Sequence, residues 1–298
     1  VNEARWVEEK LHGAAVSQRF RADRVLLERK TGLQELLVIE NPIFGRTLFL
    51  DGIVQTTEND EFIYHEMLAH VPLFAHGSAR RVLIIGGGDG GTLEEVLKHP
   101  NVEQATLVEI DETVIAASRE HLPEISKGAF DDPRARVVIE DGLSFVRATG
   151  DRFDVVIVDS TDPQGPGWRL FTTAFYTHCR SRLNPGGILV AQCGVPFLQA
   201  TELSSVASRL RQVFGEVSAY TAAIPSYHGG DMAFVFATDD AERRRPPLDL
   251  LERRFEAAGV TTRYYLPDVH LAAFALPRFI RDLMASRPHP AMAEADEI

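Results

Sequence analysis

Residues 81–98 constrain this chain most: Arg-Val-Leu-Ile-Ile, then Gly-Gly-Gly-Asp-Gly-Gly, then Thr-Leu-Glu-Glu-Val-Leu-Lys. An unbroken apolar run of this kind reads as a strand buried on both faces, the habit of a parallel sheet. Glycines between such a strand and a helix let the backbone approach a ligand closely, and the helix start offers free N–H groups. Further strand patterns near Arg81, Ala105, Arg136, Phe153 and Ile188 alternate with helical segments from Glu61 onward. That order predicts an α/β fold, a mostly parallel sheet with helices on both faces. Val217–Thr221 and Met232–Thr238 read as a closing strand pair, and 248–285 as helices with one short strand. Before about Thr57, short strands are expected at Val25–Arg29, Glu35–Glu40 and Thr47–Leu50, and Asp51-Gly52 is a two-residue hairpin signal. The chain therefore divides into an N-terminal β-domain, 1–60, and an α/β domain, 61–298. With 298 residues it can bury a full core.

Gly86, Gly88 and Gly91 fit G-x-G-x-x-G. Alone, that pattern does not separate a dinucleotide from an adenosyl-sulfur ligand. The next strand ends in Glu109-Ile110-Asp111, an acid about 20 residues past the glycines, which suits the two hydroxyls of a ribose. Asp89 narrows the choice. A pyrophosphate, or the carboxylate of S-adenosylmethionine, would be repelled by an acid inside the glycine cradle. Decarboxylated S-adenosylmethionine keeps the adenosine, the cationic sulfur and the ammonium but has no carboxylate. Asp89 also reads as an ordinary acid at a helix start.

A second strand end carries acids. The apolar run Phe153–Val158 opens into Asp159-Ser160-Thr161-Asp162-Pro163-Gln164-Gly165-Pro166. The C-terminal ends of parallel strands are where such folds hold ligands. Two carboxylates three residues apart attract a cation and can take a proton from it. The prolines stiffen the loop and should keep a helix from starting there. Taken alone, the segment equally describes a solvated acidic turn.

The balance of 31 basic to 43 acidic residues gives a net charge of −12, which argues against nucleic acid as a partner and suits cationic substrates. No apolar run of about 18 residues is present, so no membrane span is expected. Val1–Glu8 has no signal-peptide core, and Cys179 and Cys193 read as reduced thiols of a cytoplasmic protein. His65 and His70 are five apart, not the four of a zinc-protease helix, so no metal site is expected. Arg243–Pro247 reads as a solvated basic loop.

Nearly the whole chain resembles the polyamine aminopropyltransferase (spermidine synthase) family. The resemblance rests on Leu50–Glu58, Asp60–Met67, His70–Leu73, Gly86–Gly91, Glu109–Asp111, Asp141-Gly142, Asp159–Pro166, Leu170-Phe171, Gly186-Gly187, Ile224–Tyr227 and Ala272–Pro277, in one order. It implies a Rossmann-like, methyltransferase-type sheet after a small β-domain. It also implies aminopropyl transfer from decarboxylated S-adenosylmethionine to putrescine, with no prosthetic group or metal. Gln34 would lie near the sugar or sulfur of the donor and Gln55 near its propylamine. Gly86, Gly88, Asp89, Glu109, Asp141, Gly142 and Pro166 would complete the donor site, with Asp141 accepting the adenine amino group or capping a helix. Tyr64, His65, Asp89, Asp159, Asp162 and Tyr227 would face the amine. At Asn59 and Glu94 the family usually carries an arginine.

The expected chemistry follows from charge. Asp159, helped by Tyr64, takes the proton of the attacking ammonium, and Asp162 orients the amine. Cadaverine, agmatine or spermidine could replace putrescine as acceptor. An S-adenosylmethionine methyltransferase, a nicotinamide dehydrogenase and a polyamine sensor share parts of this pattern. The exposed edges of the N-terminal strands predict a homodimer or homotetramer.

Overall fold

The computed structural model describes residues 5–13, 15–163 and 165–286, with the side chains of 165 and 166 outside that description. Strands β1 (Arg5–Glu9) and β2 (Gln18–Ala22) form an antiparallel pair. Strands β3 (Arg24–Lys30), β4 (Glu35–Asn41), β5 (Gly45–Leu50) and β6 (Ile53–Thr57) form an antiparallel sheet in chain order. The expected hairpin is present: Leu50 pairs with Ile53, and Asp51 (φ 50°) and Gly52 (φ 77°) both take the positive φ of a type I′ turn. Strands β1 and β2 were not expected. The six strands do not close a core alone. Leu36, Val38, Leu48 and Leu50 pack on Val114, Ala117, Leu122 and Ile125 of the second domain. The other face packs Ile39, Phe49 and Val54 against Val7, Phe20 and Ala22 of the β1–β2 pair.

The second domain runs α1 (Glu61–His76), β7 (Arg81–Gly86), α2 (Gly91–Leu97), β8 (Gln104–Glu109), α3 (Glu112–His121), α4 (Pro123–Ser126), β9 (Ala135–Ile139), α5 (Gly142–Ala148) and β10 (Phe153–Asp159). It continues with α6 (Thr173–Arg182), β11 (Leu183–Gln192), α7 (Ala200–Arg211), β12 (Glu216–Ala223), β13 (Asp231–Thr238), α8 (Leu248–Ala258), α9 (Pro267–Ala273) and α10 (Arg278–Ala285). The seven strands lie in the order β12-β13-β11-β10-β7-β8-β9, and only the pairs made by β13 are antiparallel.

The unbroken apolar runs are explained by packing on both faces. Val82, Ile84, Val155 and Ile157 join Met67 of α1, Leu93 of α2 and Leu251 of α8. Leu83, Ile85, Val156 and Val158 join Phe145 of α5, Phe175 of α6, Leu203 of α7 and Ile280 of α10. Full burial of each such side chain contributes roughly 1.5–3 kcal/mol.

Two expectations are corrected. Among the described residues no strand forms after β13. The β-like stretch before α9 instead gives the N–H groups of Arg263, Tyr264 and Tyr265 to the Glu66 carboxylate, at 2.7–2.8 Å. A short 3-10 helix, Gly165–Phe171, also starts where the prolines were expected to keep helix out. A proline in a first turn has no intrahelical N–H bond to lose.

The chain winds from β7 outward through β8 and β9, then returns to place β10 on the other side of β7. Such a reversal opens a crevice at the strands' C-terminal ends. Gly86–Gly91 and Asp159–Asp162 meet there.

Candidate active site

A cavity fills this crevice and is roofed by the N-terminal sheet through Leu48, Leu50 and Gln55. Gly86 has φ 84°, and Asp159, its partner on the neighbouring parallel strand β10, lies so close that a Cβ would collide with the Asp159 carbonyl oxygen. The glycine loop and the second acid loop are thereby held in contact, with Gly87 N–H donating to the same carbonyl at 2.9 Å.

Asp89 lies on the cavity wall with its side chain 12% exposed. Its Oδ1 accepts the Gly91 N–H at 2.8 Å, and its Oδ2 stands 3.4 Å from His65 Nε2. The helix-start N–H expected to be free for a ligand is thus taken by Asp89 itself. His65 does not line the cavity as expected. Its ring is buried behind Asp89, with Nδ1 2.6 Å from Glu61 Oε2. It fits because residue 91 is glycine: a Cβ there would collide with the imidazole. Burial disfavours its charge, but Asp89 and Glu61 overcome this and hold the imidazolium well above its ordinary pKa. Burial likewise opposes ionisation of Asp89. The His65 charge and hydrogen bond outweigh it and hold the carboxyl below its usual value.

Toward β8, Glu109 is on the wall and its Oε1 accepts the Asp111 N–H at 2.9 Å. Burial pushes its pKa up to about 7. Asp111 caps α3 through the Thr113 N–H and receives Gln34 Nε2 at 3.1 Å. Gln34 lines the cavity from the N-terminal domain, as does Gln55, whose Nε2 donates to the Ile53 carbonyl at 3.1 Å. Asp141 and Gly142 line it too. Asp141 Oδ1 caps α5 by accepting Ser144 N–H and Oγ–H, both at 2.8 Å, while the residue also lines the cavity. The Pro166 side chain, expected at this site, lies outside the described residues.

Asp159 stands at the centre. Tyr64 Oη donates to its Oδ1 at 2.6 Å and Thr92 Oγ1 to its Oδ2 at 2.7 Å. Burial raises its pKa above the usual carboxylate value and Asp89 adds to this, against the pull of His65, Tyr64 and Thr92. Burial and the neighbouring Asp159 keep the Tyr64 phenol protonated. Tyr227 is partly buried on the wall, edge-on to Tyr64 with ring centroids 6.0 Å apart, and its Oη donates to the Gln55 carbonyl at 2.5 Å.

Beyond Asp159 lie Asp162 and residues that the sequence did not reveal. Burial raises the Asp162 pKa, while hydrogen bonds from Gln199 and Gln192 lower it. Gln192 Nε2 also donates to the Ser160 carbonyl at 2.8 Å. Glu9, at the end of β1, is 5% exposed and on the same wall. Its carboxylate accepts Gln18 Nε2 and, at 3.1 Å, the Val54 N–H. Burial raises its pKa, with Asp162 adding to the effect. Gln192 could have been suspected from its place at a strand end. Glu9 carried no signal, since nothing in Arg-Trp-Val-Glu-Glu marks the second acid as buried.

Asn59 and Glu94, where arginines were expected, sit outside the cavity. Asn59 Nδ2 bonds the Ile43 carbonyl, and Glu94 pairs with Lys98 and Lys127. Among the described residues no group of three or more His, Cys, Asp or Glu is placed to hold a metal.

Four acids on one wall, a glycine loop and a ribose-type acid fit a cationic adenosyl donor and a cationic acceptor. Residues 61–245 match the spermine/spermidine synthase domain, and residues 5–58 the spermidine synthase tetramerisation domain. Polyamine aminopropyltransferases of Escherichia coli O157:H7 and O6:H1 are each 54% identical over 271 residues, 91% of this chain and 94% of theirs. A crystal structure of spermidine synthase with the transition-state analogue AdoDATO superposes with a TM-score of 0.90 at 40% identity, over 95% of this chain and 96% of that one. Spermidine synthase from Thermotoga maritima gives 0.87 at 39%, over 95% of each chain. By sequence, by fold and by the chemistry of its cavity, this chain belongs to the spermine/spermidine synthase family.

Proposed function

We propose that this enzyme moves the aminopropyl group of decarboxylated S-adenosylmethionine to putrescine, giving spermidine, methylthioadenosine and a proton. The observation that carries the reading is the row of buried and half-buried carboxyls along one cavity: Glu109, Asp89, Asp159, Asp162 and Glu9. Glu109 takes the ribose hydroxyls, Asp141 the adenine amino group and Asp89 the donor ammonium, with Gln34 and Gln55 closing the site from above. The diamine lies between Glu9, which anchors its far ammonium, and Asp159, which receives a proton from the near one. Asp162 orients the attacking nitrogen, and Tyr227 flanks the channel.

The raised pKa of Asp159 narrows its gap to an amine, which favours transfer. The Tyr64 hydroxyl remains hydrogen-bonded to the acid as the proton arrives. The sulfonium leaves as a neutral thioether, so no general acid is needed. Holding both reactants in line contributes much of the rate.

We also place the enzyme in the cytoplasm, as a homodimer or homotetramer. Two observations support this: Cys179 and Cys193 are free and buried, and among the described residues β3 pairs only with β4, leaving an open edge. Among the described residues no helix is long and apolar enough to cross a membrane.

The test is methylthioadenosine release from the decarboxylated donor with putrescine, cadaverine, agmatine or spermidine. Turnover fastest with putrescine is expected. Preference for another amine would keep the chemistry and change the acceptor, and methyl transfer from S-adenosylmethionine would overturn the reading.

A further inference from the structure

We infer that Thr92 is a positioning residue for Asp159, fixing the orientation of the proton acceptor from the side away from substrate. The inference rests on Asp159 being that acceptor. Thr92 is the second residue of α2 and is fully buried. A threonine in a first helical turn usually turns its hydroxyl to nearby backbone. Here the hydroxyl reaches across to another element and donates to Asp159 Oδ2 at 2.7 Å.

Tyr64 holds the other oxygen at 2.6 Å. Two donors on opposite oxygens fix both side-chain torsions of Asp159. Their roles differ. Tyr64 lines the cavity and stands beside the transferred proton, whereas Thr92 does not line it. An effect of Thr92 on catalysis must therefore pass through Asp159.

The other groups facing Asp159 are Tyr64 and His65 of α1, Asp89 of the glycine loop, Glu109 at the end of β8, and Tyr227 after β12. Burial and Asp89 disfavour the ionised acid. A charge-assisted hydrogen bond opposes them. Removing the donor raises the acceptor's pKa, so the pH below which activity is lost moves upward.

The test compares Thr92→Val, which keeps the shape, with Thr92→Ser, which keeps the hydroxyl, by kcat, donor KM and the pH profile of kcat/KM. Thr92→Ala replaces the valine variant if that one melts far below wild type. Losing the bond is expected to lower kcat about tenfold and raise the acid limb by about one pH unit, with donor KM unchanged. Thr92→Ser should stay within about threefold of wild type. In an Asp159→Asn background, Thr92→Val should have no further effect. An unmoved acid limb in Thr92→Val, or Thr92→Ser as impaired as Thr92→Val, would overturn the inference while leaving Asp159 as acceptor. Wild-type turnover in Asp159→Asn would instead remove the reading beneath it, and the inference with it.

Discussion

Asp89 should decide which adenosyl donor this enzyme accepts, and Asp89→Asn isolates its charge. The variant keeps an oxygen for the Gly91 N–H, which now bonds Oδ1 at 2.8 Å, so the loop should hold its shape. Two unit charges about 4 Å apart interact by about 4 kcal/mol at an effective dielectric of 20. Attraction of the donor ammonium and repulsion of a carboxylate at the same point would each be of that order. The imidazolium of His65, 3.4 Å away on the far side, offsets part of the field. We therefore expect the preference for decarboxylated over carboxylated donor to narrow by about 10²-fold, which is about 2.8 kcal/mol. Most of the change should appear as weaker binding of the decarboxylated compound. Calorimetric titration of both compounds into wild type and variant measures the ratio directly. An unchanged ratio would mean that the carboxylate is excluded by something other than this charge.

Other expectations are as direct. Asp159→Asn should fold normally and lose turnover by at least 10²–10⁴-fold, the usual worth of a general base; a variant within tenfold of wild type would move the role to Asp162. Glu9→Gln should raise the acceptor KM by roughly 10–100-fold, the loss of one charge-assisted bond, with donor KM unchanged; an effect on the donor alone would refute its placement. Glu109, at about 7 in the free protein, is stabilised as the anion by ribose hydroxyls, so donor binding releases a proton. Donor affinity should then fall as pH drops below about 7, and Glu109→Gln should flatten that dependence in titrations from pH 6 to 8. Light scattering should report at least twice the 33.1 kDa chain mass; an active monomer would refute the edge-pairing argument.

The sheet was legible because its strands are buried on both faces, which writes itself as uninterrupted Val, Ile and Leu. Strands β1 and β2 were not, because Arg5-Trp-Val-Glu-Glu and Gln18-Arg-Phe-Arg-Ala put charges on an exposed face and bury only two residues each. The acids at the ends of β7, β8 and β10 were legible from position. Glu9 was not, since it comes from a segment far away in sequence and reaches the crevice only when the N-terminal pair folds over it. His65 was placed on the cavity by resemblance, and the structure moves it one layer back. The void left by Gly91 admits its ring there, a complementarity that no reading of either residue alone contains.

Three consecutive residues of α1 reach three distant parts of the chain. Tyr64 bonds Asp159 on β10, His65 faces Asp89 of the glycine loop, and Glu66 takes three N–H groups at 263–265. One turn of helix thus serves as a keystone for segments up to about 200 positions away. The surroundings of Asp159 are therefore expected to depend on docking of the segment at 263–265. Damage to the segment at 263–265, which does not line the cavity, should reach catalysis through the far side of the same helical turn. Amide exchange in α1 should accordingly slow together with exchange at 263–265, as a single cooperative unit.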